Sequence, residues 1–291
     1  MMRGVSTWSV ATRREDGEIE VASEPIRAWT DRHRLLRLPV VRGVVALAQS
    51  LEVGLRALAI SAAVSAGTEE GSRAEPPRGV GRGLTIAAAL AFAIGLFFVL
   101  PAAIALLLGG WLETAASSWV VESGLRVGVL VGYVVVIGRL GNLRRMFEYH
   151  GAEHKAIACV EGGEDLTPDR AAAFSRLHPR CGTSFLLVLM VVASILYVPF
   201  GFAEWYWVVL SRVLGVPLAA GLSYEALKWM GKHRRAPLAR ALIWPGVMLQ
   251  NLTTREPDEG QLEVAIAALE PVLAIEGSDA APAPGAPELV A

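Results

Sequence analysis

Residues 84–108 read LTIAAALAFAIGLFFVLPAAIALLL, 25 residues without a charge. At 1.5 Å per residue, a helix of that length crosses the roughly 30 Å hydrocarbon core of a bilayer. Pro101 lacks a backbone donor and is expected to kink it. This stretch makes the chain a membrane protein, and the rest is read outward from it.

Downstream, Ser184–Phe202 is a second charge-free run, of 19 residues. Ser117–Gly138 reads as a span carrying Glu122 and Arg126, four apart on one face and able to pair. Trp205–Leu222 reads as another, with Trp205, Tyr206 and Trp207 as an aromatic belt at its entry. Its Arg212 is costly in lipid and should face protein or a wet cavity. Lys and Arg alternate between connections. Arg73, Arg78 and Arg82 precede the first span, and none lies in 109–116. Seven lie in 139–183, and Lys228, Lys232, Arg234, Arg235 and Arg240 follow the last span. This positive-inside pattern places both termini and the 139–183 segment in the cytoplasm. No leader is visible, because the first apolar run starts far from the N-terminus.

The whole chain agrees. Its 291 residues are 53% hydrophobic and 19% charged, with mean hydropathy +0.44. A net charge of -1 supplies no basic field for nucleic acid. Two cysteines, Cys159 and Cys181, cannot frame a disulfide-rich domain. The expected fold is mainly α: a multi-pass helical membrane protein of about four spans, with a small N-terminal β-hairpin and cytoplasmic helices.

In the aqueous parts, Trp8–Ala22 reads as a hairpin turning at Asp16-Gly17. Val40–Val64 is apolar at helical spacing, interrupted by Arg42, Glu52 and Arg56, and is expected on the inner membrane surface. Residues 67–83 read as a linker. Pro237–Asn251 and Asp258–Leu269 read as helices, and 277–291 as a disordered Ala/Pro tail. The domain limits are then 1–83, 84–222, 223–276 and 277–291.

Chemistry concentrates in the 139–183 connection. Leu143–Glu161 has helical character and is expected to continue the second span inward. Leu143, Phe147, His150, His154, Ile157 and Glu161 share one face. Two imidazoles at i and i+4 can bind one metal ion, and His-x-x-Glu-His is also the spacing of inverted zinc peptidases. Glu153 is then the candidate general base acting on a metal-bound water, and Glu161 a further ligand or supporting partner. The second cluster is His178-Pro179-Arg180-Cys181-Gly182-Thr183. A short helix capped by Thr167 should end near Leu177, and Pro179 holds His178 extended. His178 and Cys181 then complete a tetrahedral site with His150 and His154. Arg180 suits an anionic substrate group. The bland alternative is a hydrogen-bonded polar core. Cys159, on another face, is expected to be packing, and Glu225 with Lys228 a solvated pair.

Together with Met1-Met2-Arg3-Gly4 and Arg42-Gly43-Val44, the motifs His150-Gly151-Ala152-Glu153-His154-Lys155 and 178–183 resemble the YqhQ family. This is a bacterial family of multi-pass membrane proteins, domain of unknown function 1385. The likeness runs from the first residues to about Leu269. It implies a metal-dependent enzyme with His150, Glu153, His154, His178 and Cys181 as candidates for the metal site. Members usually carry a short Gly-rich stretch ahead of Met-Met-Arg-Gly, so a start upstream of Met1 is an open expectation.

The leading expectation is a metal-dependent hydrolase of the bacterial cytoplasmic membrane, holding one divalent ion, zinc by its thiolate and imidazole ligands. Expected partners are membrane lipids, membrane proteins or a second copy, with no nucleic acid. The rival is a non-catalytic scaffold or assembly factor braced by the same cluster. A transporter is weakest, since no internal repeat is visible.

Overall fold

The computed structural model describes residues 1–67, 80–109, 114–179, 181–200, 204–233 and 236–277. Residues 68–79 of the expected 67–83 linker, the connection at 110–113, Arg180, Arg234, Arg235 and residues 278–291 of the expected tail lie outside them, as do Arg73 and Arg78; residues 80–83 of that linker are instead the first turn of a helix beginning at Val80.

The chain opens with a three-stranded antiparallel sheet, β1 (Met2–Arg3), β2 (Thr7–Arg13) and β3 (Ile19–Pro25), in that order. The expected hairpin is present, with Arg13 opposite Ile19. Its turn is one residue longer than Asp16-Gly17 suggests. Arg14 and Glu18 still pair, and Gly17 supplies the positive φ of 91° that closes a Glu15–Gly17 loop. The two-residue strand β1 is too short for any sequence period to reveal.

Helix α1 (Val41–Ser65) follows, then α2 (Val80–Ile94), a π-helical segment Gly95–Val99, and α3 (Leu100–Leu107). The π segment is the form the expected kink takes: Pro101 offers no N–H, and the preceding turn widens. Helix α4 (Ala115–Ile137) does not run on into α5 (Gly141–Glu161) as expected. The chain breaks at Gly138–Leu140, where the Gly138 carbonyl accepts from Arg255 Nη2 at 3.2 Å. Helix α6 (Pro168–Ala172), capped by Thr167, ends five residues before the expected Leu177.

Helix α7 (Thr183–Leu196) has 14 residues, not the 19 of the charge-free run. Pro199 stops it and a 3-10 turn, Val198–Phe200, takes over. Helix α8 (Trp205–Lys232) is continuous for 28 residues. Helices α9 (Pro237–Thr253) and α10 (Glu259–Glu276) complete the fold, the latter started by a capping box between Asp258 and Gln261.

Among the described residues, four helices are long and apolar enough to cross a membrane: Val41–Ser65, Val80–Leu107, Ala116–Ile137 and Tyr206–Lys232. The number matches expectation but the set does not, because α1 qualifies and the shorter α7 does not. The core of the bundle packs Phe98, Leu130, Val134, Met190, Ala193 and Tyr197 from α2–α3, α4, α7 and its C-terminus. Inside it, Arg126 and Arg212 are each 1% exposed and both bond Glu122. Arg212 therefore faces protein, and the expected Glu122–Arg126 pair is a three-charge cluster. Glu225 is held by Arg42 Nε at 2.6 Å, which replaces the solvated pairing with Lys228 expected from sequence.

A second core lies at the other end of the bundle. It packs Met2, Ala152, Ala156, Ile157, Cys159, Ala171 and the inner face of α10. Cys159 is thus packing, as expected. A third cluster joins Trp8 and Val10 of β2 to Val53, Ala57, Ile60 and Val64 of α1.

Candidate functional site

The site is built where α5, the loop before α7 and the C-terminus of α9 meet. Small residues on α5 let other backbone come close. Gly151 lies against the carbonyl of Arg255, and a methyl group there would collide with it. The 253–255 segment crosses α5 at that point, with Arg255 N donating to Phe147 O at 2.8 Å. Its Thr253 carbonyl bonds His150 Nδ1 at 2.9 Å. The Arg176 carbonyl bonds His154 Nδ1 at 2.6 Å, and Arg176 is itself held by Thr254. A carbonyl only accepts, so both rings carry a proton on Nδ1 and turn Nε2 inward. Metal-binding histidines are oriented by this same device.

Cys181 completes the convergence. Its Sγ lies 3.2 Å from His150 Nε2 and 3.1 Å from Thr183 Oγ1, at the N-terminus of α7. One potential ligand atom from each of His150, His154 and Cys181 falls within 4.8 Å of the other two. His154 is completely buried, and its Nε2 has no hydrogen-bond partner among the described residues. A buried polar atom without a partner calls for an explanation, and a bound cation supplies one. The donor set of two imidazole nitrogens and a sulfur fits zinc.

The electrostatics agree. Burial alone pushes the Cys181 thiol up, but the hydrogen bond from His150 and the nearness of His154 outweigh it and bring it down to about 5. Burial pushes His150 down, while its bond to the sulfur, the Cys181 charge and Glu153 raise it to about 9. Without metal, the pair is a thiolate and an imidazolium.

The other candidates stand apart from this triad. His178 Nε2 pairs with Glu161 Oε2 at 3.3 Å, and its ring centroid is 5.8 Å from that of His154. Gln250 clamps the His178 backbone at both its N–H and its carbonyl, each at 2.8 Å. Glu153 is held by the amino group of Met1. It shares with His150 the wall of a cavity of about 780 Å3 between β2, α1, α5 and α10. Arg180 lies outside the described residues. The residues that orient the site, Gln250, Thr253, Thr254 and Arg176, are not singled out by the sequence reading. The polar run Gln250-Asn251-Leu252-Thr253-Thr254-Arg255, ending an otherwise apolar helix, was the available signal.

Comparison with known proteins places this architecture among relatives without an assigned role. The chain is 29% identical over 285 residues to the "Uncharacterized protein YqhQ" of Bacillus subtilis (strain 168), covering 95% of this chain and 90% of that one. No solved structure matches. The model of the family described as "Protein of unknown function (DUF1385)" matches residues 38–275, and the chain belongs to that family.

Proposed function

We propose that the chain is a metal-dependent hydrolase at the inner face of the bacterial cytoplasmic membrane, with one zinc ion held by His150, His154 and Cys181. The convergence of these three ligand atoms within 4.8 Å carries the reading. Three protein ligands leave a tetrahedral ion one position for water or substrate, the arrangement of catalytic rather than structural sites. When bound, the ion supplies a water acidic enough to ionise near neutral pH. Glu153 is the general base. Its carboxylate lines the same cavity as His150 and lies near enough to raise that histidine's pKa. It takes the proton of the attacking water and returns it to the leaving group. His178 and Glu161 support the cluster from behind, and Arg180 receives an anionic group of the substrate. The distribution of Lys and Arg supports cytoplasmic termini.

The test is metal content of chelator-free, detergent-purified protein, followed by cobalt substitution. The reading expects one ion per chain, a sulfur-to-cobalt charge-transfer band lost in Cys181→Ser, and metal retained in Glu153→Gln. Absence of metal after attempted reloading, with intact folding, overturns it.

The second reading is a scaffold that docks membrane proteins or another copy. The exposed apolar residues Leu238, Leu242, Trp244 and Met248 of α9 favour it. A folded, metal-free His150→Ala protein that still supports every cellular role of the wild type would select it.

A further inference from the structure

The cavity beside His150 has a position and a lining that point to one class of occupant. Its depth can be read from the helices. Ser194 on α7 is level with Trp119 and Arg126 on α4, because it bonds both. Thr183 begins α7 11 residues earlier, about 17 Å back along the axis, which brings it level with the last turns of α4. Arg212 on α8 is level with Glu122 on α4. Glu225 lies 13 residues further along α8, about 20 Å, and so again beside the end of α4. Arg42, at the start of α1, bonds Glu225. The site and the start of α1 therefore lie at one boundary of the apolar bundle.

Helix α1 is apolar on two opposite faces. Val53, Ala57, Ile60 and Val64 pack on the sheet. Leu51 and Leu58, exposed at 46% and 58%, point the other way in a stripe with Val44 and Leu55 that contains no charge. The charges at its flanks are paired, Arg42 with Glu225, Glu52 with Arg82 and Arg56 with Glu24. The sheet against its inner face exposes Glu15, Asp16 and Glu18 to solvent. A helix carrying such a sheet cannot also be surrounded by lipid, so α1 lies along the membrane boundary with its outer stripe in the bilayer.

The cavity lies along the side of α1, between its sheet-packed face and its outer stripe. Gly54, Ala57 and Ser61 form one wall, with Leu58 of the outer stripe at its lip, and Val264, Ala265 and Ala268 of α10 form the facing one. Its edge is polar and charged: Arg13, Arg14 and Glu15 at the end of β2 and Arg145, His150 and Glu153 of α5 line it there. A volume of about 780 Å3 is in the range of ligand clefts. We propose that this cavity binds the hydrocarbon chain of a membrane amphiphile, an acyl or prenyl chain entering past α1, with its polar head at the His150 edge. The inference gives the proposed hydrolase its substrate class. It rests on that reading for the chemistry at the head, not for the binding of the chain.

The test is photo-crosslinking in phosphatidylethanolamine–phosphatidylglycerol vesicles. One arm carries a phospholipid with a diazirine in its acyl chain, the other a free diazirine fatty acid, so that esterified and free chains are told apart. Labelled peptides are mapped by mass spectrometry. Wild type should be labelled on the cavity faces of α1 and α10 in at least one arm. Gly54→Trp projects into the cavity, since no atom lies within 4 Å of the added Cβ. It should cut that labelling about tenfold, a change of about 1.4 kcal/mol in binding. Labelling of α2 and α4 should stay unchanged. Ser61→Trp, from the same wall, is the second filling variant should the first fail to fold. Cys181→Ser should keep the labelling, so loss of metal and loss of chain binding are separable. Labelling confined to the bundle and the outer stripe of α1, or unchanged in a folded filling variant, overturns the proposal.

Discussion

His154 makes a sharp chemical demand: a completely buried ring nitrogen without a hydrogen-bond partner among the described residues. Its neighbours make that demand measurable. In the metal-free protein, Cys181 titrates at about 5 instead of its ordinary 9.0, and His150 at about 9 instead of 6.5. The lowered thiol adds stability that grows as pH rises above its folded pKa, and the raised imidazole loses its share as pH climbs towards 9. Between pH 5 and 6.5 the unfolded chain holds one proton more than the folded pair; between 6.5 and 9 each holds one. Stability of metal-stripped protein should therefore rise by about 2 kcal/mol from pH 5 to 6.5 and then stay flat. Thermal unfolding in detergent checks this, and Cys181→Ser should lose the slope. Gly151 offers a second test. A methyl group in Gly151→Ala would meet the Arg255 carbonyl and push the 253–255 segment, with the Thr253 carbonyl that orients His150, off α5. A cost of about 1–3 kcal/mol and weakened metal uptake are expected. Metal titration against Ala152→Gly, which relieves no such contact, separates positioning from general loosening.

Among the elements, the two N-terminal motif fragments gain a physical meaning. Met2 is fully buried, Arg3 bonds Ser50 of α1, and Gly4 lies against the Glu276 carboxylate at the end of α10. That carboxylate accepts from the N–H groups of Val5, Ser6 and Thr7 at 2.9, 2.7 and 3.1 Å. Burial pushes its pKa up, but these donors outweigh burial and hold it below the usual range. Its contribution is thus present above the ordinary carboxylate pKa and is lost on acidification. Glu276→Gln should cost about 1–2 kcal/mol at neutral pH and nothing at acid pH, read from denaturant unfolding of the N-terminal tryptophans. Helix starts were legible where caps were local, at Thr167 and Asp258. The 143–161 helix was legible from its apolar spacing. The break before α5 and the early end of α7 were less so, because a charge-free run records hydropathy, not where Gly138 or Pro199 turns the backbone. The same limit governs the site: His150, His154 and Cys181 were visible as residue types, whereas the carbonyls that aim them belong to no motif.

At the scale of the molecule, the bundle closes around an unbalanced charge set. Arg126 and Arg212 share the single carboxylate of Glu122, and the ring of Tyr197 lies over both, at 5.3 and 4.4 Å. Removing the carboxylate leaves two buried cations, while removing one arginine leaves a neutral pair. Glu122→Gln should cost about 3–5 kcal/mol, and Arg126→Met distinctly less. Yield of monodisperse protein and thermal stability in detergent test that order, and equal damage would show that the charge balance is unimportant. The contact between Gly4–Thr7 and Glu276 bears on how the protein is made. Residues at the start of the chain wait for a helix some 271 positions away. By the time the ribosome releases Glu276, every apolar helix has already been synthesised and handed to the insertion machinery. The sheet, the second core and the cavity between them therefore close last. During that interval the newborn N-terminal segment is unfinished, with Met2 uncovered, and it is the stage of biogenesis most open to chaperones and proteases.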